Sequence, residues 1–368
     1  MMKLKQIHLW LGLTLGILFS VLSLSGLVLV YQDSILASWY PALEINTQPS
    51  QAKTAKVLSH LTEQAKHNTG PYQLSRIEVP QTPNAHYVAK WRNGVDDKLD
   101  YINPDSLETE LTRTSEKDWI LWAFQLHTHL LGGDIGEQVL GVLTLGILVM
   151  IIAGLWIWWP GRHKLKRNIT PPRNRQSLPW LFWFHRVNGA LFSPLLFIAV
   201  LTGLGMVYFT QVKGVLVTVT GGQTQAPTHY AMHCPLNATK ISWQQQIERV
   251  HSTFPDAKIV RVYPSHSVSK PNRFRLKFAE EWHQNGRTYV YINPCNNQVV
   301  YAHDARKDNI GAQWANMIYP IHSVHVGGLL YQGLMTLCAL TPPLLFGTGL
   351  LTWYKRRRRY GKKPRKKH

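Results

Sequence analysis

Residues 8–31 read HLWLGLTLGILFSVLSLSGLVLVY, and residues 185–208 read HRVNGALFSPLLFIAVLTGLGMVY. At this offset of 177 residues His8 falls on His185, Gly12 on Gly189, Leu24 on Leu201, Gly26 on Gly203, Leu27 on Leu204 and Tyr31 on Tyr208. The match runs over roughly six turns of helix. A second alignment, at an offset of 195, puts His127 on His322, Gly132-Gly133 on Gly327-Gly328, Gly154 on Gly349, Leu155 on Leu350 and Trp158 on Trp353. Between them Tyr101-Ile102-Asn103-Pro104 recurs as Tyr291-Ile292-Asn293-Pro294, at an offset of 190. Growing offsets are expected when one ancestral unit is duplicated and the second copy gains residues outside its helices. The chain therefore reads as helix, polar domain, helix, twice over.

Ile7 to Tyr31, Val139 to Trp159, Leu191 to Phe209 and Leu329 to Tyr354 are apolar runs. Each is about 20 residues or longer, enough to cross about 30 Å of hydrocarbon. The mean hydropathy of -0.15 is low only because two polar segments dilute four spans. The first run follows Lys3 and Lys5 as a secretory signal would, but it is too long and no small-x-small cleavage site follows, so it reads as a retained anchor. The expected fold is an α-helical membrane protein: a four-helix bundle with two small α+β domains. The layout is span 1 at 7–31, a first polar domain at 32–118, an outer helix with span 2 at 119–159 and a basic loop at 160–180. Span 3 at 181–209, a second polar domain at 210–313, an outer helix with span 4 at 314–354 and a basic tail at 355–368 follow.

Charge assigns the sides. The loop from Gly161 to Gln176 carries Arg162, Lys164, Lys166, Arg167, Arg173 and Arg175 without an acid, and the tail from Lys355 onward holds ten Lys or Arg. All 20 acidic residues lie between Asp33 and Glu137 or between Glu248 and Asp308. By the positive-inside rule the basic segments and both termini are cytoplasmic and the polar domains lie outside. The net charge of +20 is then a topology signal resting on anionic membrane lipid, and it is no indication of nucleic-acid binding.

Both polar segments alternate β-formers, as in His86 to Trp91 and Thr288 to Ile292, behind helical stretches at Gln51 to His67 and Trp243 to Phe254. The two Asn-Pro pairs mark turns at strand ends. Of three cysteines, Cys234 and Cys295 share the second polar domain, so a disulfide between them is the one plausible pairing in an oxidising compartment.

The histidines carry the chemistry. Polar side chains at membrane depth are costly and are functional candidates by default, and a neutral imidazole is the usual axial ligand of a b-type haem. His8 and His185 sit at equivalent positions near the inner ends of spans 1 and 3, so they would face each other across one haem. His127 and His322, at the outer starts of spans 2 and 4, would face each other across a second. His129 and His325 are alternates for the outer pair, with His322 and His325 expected on one helix face. His163 is an alternate for the inner pair. The adjoining Gly132-Gly133 and Gly327-Gly328 would let a macrocycle or a neighbouring helix approach the backbone. Gly12, Gly26, Gly189 and Gly203 read as helix-packing points.

His8-Leu9-Trp10-Leu11-Gly12-Leu13, His127-Thr128-His129-Leu130-Leu131-Gly132 and His185-Arg186-Val187-Asn188-Gly189 resemble the motifs of the PepSY-associated transmembrane family, over nearly the whole chain. That family includes iron-regulated inner-membrane proteins and ferric-siderophore reductases. The resemblance implies a Gram-negative inner-membrane protein with PepSY-like periplasmic domains and two haems b, passing electrons to a ferric siderophore in the periplasm. Trp119, Trp122, Trp314 and Tyr319 are candidates to line such an outer site.

No Gly-x-Gly-x-x-Gly or Walker A motif is present, and the inner segments are too short for a flavin or nicotinamide domain, so the electron donor is expected to be a quinol or a separate reductase. The alternative reading is a membrane-anchored PepSY binding or regulatory protein, inhibiting a peptidase or sensing a ligand without redox chemistry. It leaves the matched histidines unexplained.

Overall fold

A computed structural model of the chain describes residues 2–41, 47–94, 96–159, 164–174, 177–223, 232, 241–267 and 270–361. The alternate ligand His163 and one half of the expected disulfide, Cys234, lie outside the described residues. Cys295 is disulfide-bonded, and Cys338 is a buried free thiol.

The helices are, in chain order, α1 (Met2–Val30), α2 (Gln32–Trp39), α3 (Gln51–His67), α4 (Trp119–His129), α5 (Gly133–Trp158) and α6 (Leu165–Ile169). They continue with α7 (Leu178–Val207), α8 (Phe209–Val219), α9 (Trp243–Thr253), α10 (Ile310–His322) and α11 (Gly328–Gly361). Two compact units result. One comprises Met1–Tyr31, Ala123–Tyr208 and Ile321–His368; the other comprises Gln32–Trp122 and Phe209–Pro320.

In the helical unit α1, α5, α7 and α11 are long and apolar enough to cross a membrane. α1 packs on α5 and α11, and α7 packs on the same two, so α1 and α7 stand on one diagonal of a square. Small residues fill the contacts, among them Gly16 and Ser20 of α1, Gly141 and Ala153 of α5, and Ser193 and Gly205 of α7. The large apolar side chains point outward instead, as in the exposed stripe Ile135, Val139, Val142, Leu145, Val149 and Ile152. Small residues inside and large apolar ones outside reverse the pattern of a water-soluble helix and fit a lipid solvent. The chain is a multi-pass membrane protein.

α4 and α10 precede α5 and α11 and are cut from them by left-handed backbone. Leu130, Leu131 and Gly133 have φ of 48°, 61° and 57°, and Val324, Gly327 and Gly328 have φ of 61°, 76° and 60°. Left-handed backbone costs roughly 1–2 kcal/mol at a non-glycine residue, so glycines at 133, 327 and 328 make these breaks affordable. Of the glycine pairs expected to let a macrocycle or a neighbouring helix approach the backbone, Gly133, Gly327 and Gly328 turn the chain. The expected helix face shared by His322 and His325 does not exist, because α10 ends at His322 and His325 follows the break.

The second unit holds one antiparallel sheet of strands β1 (Gln73–Glu78), β2 (Tyr87–Asn93), β3 (Asp96–Ile102), β4 (Thr109–Thr114), β5 (Lys258–Tyr263), β6 (Asn272–Lys277), β7 (Thr288–Ile292) and β8 (Val299–His303). Their order is β4-β3-β2-β1-β5-β6-β7-β8. The two polar segments do not close as separate modules. β1 pairs with β5 through Ile77 opposite Val262 and Glu78 opposite Arg261, and Val79 N donates to Val260 O at 3.0 Å. Two four-stranded halves would each leave an open edge here, and pairing removes both. A single core spans the seam, with Leu58 and Leu61 of α3 and Ile247 and Val250 of α9 packed against Leu74, Ile77, Val262, Phe274 and Leu276. The repeated Tyr-Ile-Asn-Pro motif ends β3 and β7 alike. Asn103 and Asn293 Oδ1 each accept from the backbone N–H two residues on, at 2.9 Å, in Asx turns.

Candidate functional site

His8 on α1 and His185 on α7 meet across the diagonal of the bundle, with ring centres 6.3 Å apart and planes at 81°. His127 on α4 and His322 on α10 form a second pair, with centres 6.0 Å apart and planes at 41°.

One construction seats all four rings. His8 Nδ1 lies 3.0 Å from Met150 O, His185 Nδ1 2.9 Å from Leu345 O, His127 Nδ1 2.9 Å from Leu22 O and His322 Nδ1 3.1 Å from Ala199 O. A carbonyl only accepts, so each Nδ1 carries the proton and donates, which leaves Nε2 as the basic nitrogen. Four residues after each carbonyl stands a glycine: Gly154, Gly349, Gly26 and Gly203. A Cβ there would lie 2.7 Å from His8 Cε1, 3.2 Å from His185 Cε1, 2.8 Å from His127 Cε1 and 3.1 Å from His322 Cε1. Each histidine therefore lies on a bare patch of a neighbouring helix and is clamped by the carbonyl one turn earlier. Ser25 Oγ and Thr202 Oγ1 add a contact at 3.1 Å to His127 and His322. Glycines and carbonyls obey the same offsets of 177 and 195 as the histidines, so the seat recurs with the histidine.

A cavity of about 580 Å³ surrounds the inner pair, bordered by Gly12, Gly154, Gly189 and Gly349 beside the two rings. Its lining is largely apolar, but Lys5, Arg186, Arg356 and Arg357 also border it. Trp158 and Trp353 line it too, and among the described residues the buried Trp158 Nε1 has no hydrogen-bond partner. Trp156 and Trp159 are exposed, as residues of an interfacial belt are.

The remaining histidines stand apart from the pairs. His129 ends α4, with Nδ1 2.6 Å from Thr128 Oγ1. His325 is exposed, with Nδ1 2.8 Å from Ser323 Oγ. Among the described residues no three or more His, Cys, Asp or Glu side chains gather to hold a metal ion. The arrangement offers two-imidazole sites only.

A family model for the PepSY-associated TM region matches residues 5–356, which takes in all four histidines and their seats. The chain belongs to the PepSY-associated transmembrane family. No curated protein matches it. For this PepSY-associated protein the sequence left one functional element unassigned, the glycine seats. Their signal was already in the repeat, since glycine in mid-helix costs roughly 1 kcal/mol against alanine and recurs here at four matched positions.

Proposed function

We propose that the four histidines hold two b-type haems as axial pairs, His8 with His185 and His127 with His322, in an inner-membrane protein that reduces ferric siderophore at the periplasmic face. The paired imidazoles on glycine seats carry this reading. The ring centres stand 6.3 and 6.0 Å apart, so each facing pair of imidazoles would hold one iron between them. The cavity at the inner pair supports it, because a flat apolar macrocycle with two carboxylates suits apolar walls, four cationic side chains and an orphaned indole donor.

When bound, each haem supplies a one-electron Fe(III)/Fe(II) couple. The chain's part is positional and electrostatic. The Nδ1–H to carbonyl bonds fix tautomer and ring orientation and raise the basicity of Nε2. The glycine seats bring the rings close to the helix axes, and the exposed apolar faces keep the pairs at membrane depth. At the outer surface, hard hydroxamate or catecholate oxygens hold Fe(III) far more strongly than Fe(II), so one electron per iron loosens the metal with the ligand intact. A quinol or a separate reductase donates the electrons. By the positive-inside rule the basic loop and tail support a reading with both termini in the cytoplasm and the polar segments in the periplasm.

The test is a reduced-minus-oxidised visible spectrum with haem quantitation on the detergent-purified protein, beside His8→Ala and His322→Ala. Two haems per chain, with each variant losing one, is the expected result. A colourless protein expressed with ample haem overturns the proposal and returns the chain to the ligand-sensing or peptidase-restraining reading.

A further inference from the structure

Side chains alternate across a sheet, so the face opposite the Leu74, Ile77, Val262 and Phe274 core carries Arg76, Glu78, Arg261, Tyr263, Arg273 and Arg275. Register aligns them in two rows. Glu78 lies opposite Arg261, Arg261 opposite Arg275 and Arg275 opposite Tyr289; in the next row Tyr263 lies opposite Arg273 and Arg273 opposite Tyr291. Directly opposed residues touch, and like charges so placed are destabilising unless something offsets them. Arg287, one residue before β7, hydrogen-bonds Tyr289 and joins the set.

Of these five guanidinium groups, only Arg76 and Arg261 reach a carboxylate among the described residues, that of Glu78. Arg76 donates Nε and Nη2 to Glu78 Oε1 at 2.9 and 2.8 Å, and Arg261 Nη2 lies 3.3 Å from the same oxygen. Among the described residues no carboxylate pairs with Arg273, Arg275 or Arg287. Arg273 stacks 3.8 Å over the Tyr263 ring, Arg287 lies 5.0 Å from the Phe209 ring, and Arg275 donates Nε and Nη2 to Gly286 O at 3.0 and 2.7 Å. Stacking and carbonyl contacts place these groups without neutralising them. The Nε atoms of Arg261, Arg273 and Arg287 are buried, and among the described residues none has a hydrogen-bond acceptor. The surroundings register the excess charge. Burial pushes the Tyr263 phenol up, yet Arg261, Arg275, Arg76 and Arg273 together hold it below the ordinary tyrosine range. Burial, and then Arg275, lower Arg287.

Three buried, charged donors without an acceptor among the described residues are costly in one patch, and a fork of guanidiniums beside tyrosine hydroxyls is complementary to planar oxyanions. We propose that this face binds a small ligand bearing several anionic oxygens, as carboxylates or catecholates. Resting on the reductase reading, it also sets the substrate class: ferric complexes of net negative charge are taken in preference to neutral or cationic hydroxamate complexes.

The experiment is calorimetric titration of the full-length protein in a neutral detergent with ferric citrate and with a neutral ferric trihydroxamate. It is repeated in nanodiscs of zwitterionic or phosphatidylglycerol-containing lipid. Ferric citrate is expected to bind at least about tenfold more tightly than the trihydroxamate, with Arg273→Gln and Arg287→Gln each weakening it on the order of tenfold. Arg249→Gln, on an exposed position of α9, should match the parent. A thermal midpoint for each variant separates lost binding from lost folding, and Arg273→Lys, which keeps charge without the fork, should fall between parent and Arg273→Gln. Equal affinities for the two complexes, or glutamine variants that fold and bind like the parent, overturn the proposal. So does arginine-dependent retention of phosphatidylglycerol with no ferric citrate binding, which would make the oxyanion a lipid phosphate. A colourless protein that still discriminates the complexes defeats the haem reading and leaves this face standing; a di-haem protein that does not discriminate does the reverse.

Discussion

Gly154→Ala is the sharpest probe of the seats. An added Cβ would lie 2.7 Å from His8 Cε1, against an ordinary carbon contact of about 3.5–4.0 Å, so the ring must move by roughly 1 Å. Such a shift stretches the 3.0 Å bond from Nδ1 to Met150 O beyond hydrogen-bonding range. Losing that bond costs about 1 kcal/mol, and overpacking adds about 1–3 kcal/mol. At about 1.4 kcal/mol per decade, the summed cost lowers the affinity of the inner site roughly thirtyfold or more. An open helical glycine would respond in the opposite sense, since alanine there stabilises by up to about 1 kcal/mol. Haem per chain and the reduced-minus-oxidised spectrum of purified Gly154→Ala decide the matter. The variant should lose the same haem as His8→Ala and keep the other. Gly26→Ala, at 2.8 Å, should act as strongly on the outer site, while Gly203→Ala and Gly349→Ala, at 3.1 and 3.2 Å, should act more mildly. Two full haems with unchanged spectra and potentials in Gly154→Ala would refute the role given to the seats.

His129→Ala and His325→Ala should each retain both haems, because neither side chain belongs to a facing pair; loss of a haem from either would reassign the outer ligands. Asp118 accepts Ile120 N and Leu121 N at 2.8 and 3.0 Å and Arg113 Nε at 2.5 Å. Burial pushes its carboxyl up, but Arg113 and the two amides outweigh this and hold it below the usual range. A depressed carboxyl contributes stability that is present above its unfolded pKa and lost as pH falls through the folded value. Denaturant unfolding of the parent should therefore weaken into acid, and Asp118→Asn should cost about 3–5 kcal/mol at neutral pH, by stranding buried Arg113, and flatten that dependence. Gly286 has φ 61°, and a Cβ would meet Leu276 O at 1.8 Å, so Gly286→Ala should lower the thermal midpoint markedly; an unchanged midpoint would mean that the β6–β7 connection is built otherwise.

Much of this was legible in the sequence because it depends on local composition. Apolar length alone gives the four spans, and the offsets give the histidine pairs. Long-range pairing was not legible. The β1 to β5 seam joins Ile77 to Val262 across about half of the chain, and nothing in either strand's own pattern shows which edge it meets. Gly26 and Gly203 read as packing points because a sequence does not reveal that the neighbour lying on them is an imidazole. His322 and His325 misled for another reason. Their spacing suits a helix, but Val324 and the glycines after it adopt left-handed backbone, a tertiary outcome that helical periodicity does not register.

The seats and the pairs divide the bundle differently. His8 and His127 rest on α5 and α1, within the first half of the chain, and His185 and His322 rest on α11 and α7, within the second. Facing partners, by contrast, always come from opposite halves. Each half is thus a finished holder for two imidazoles that lacks only a counterpart. Two such halves related by a twofold axis suffice for both imidazole pairs. The arginine rows break this symmetry, with one of their strands, β1, in the first half and three, β5, β6 and β7, in the second.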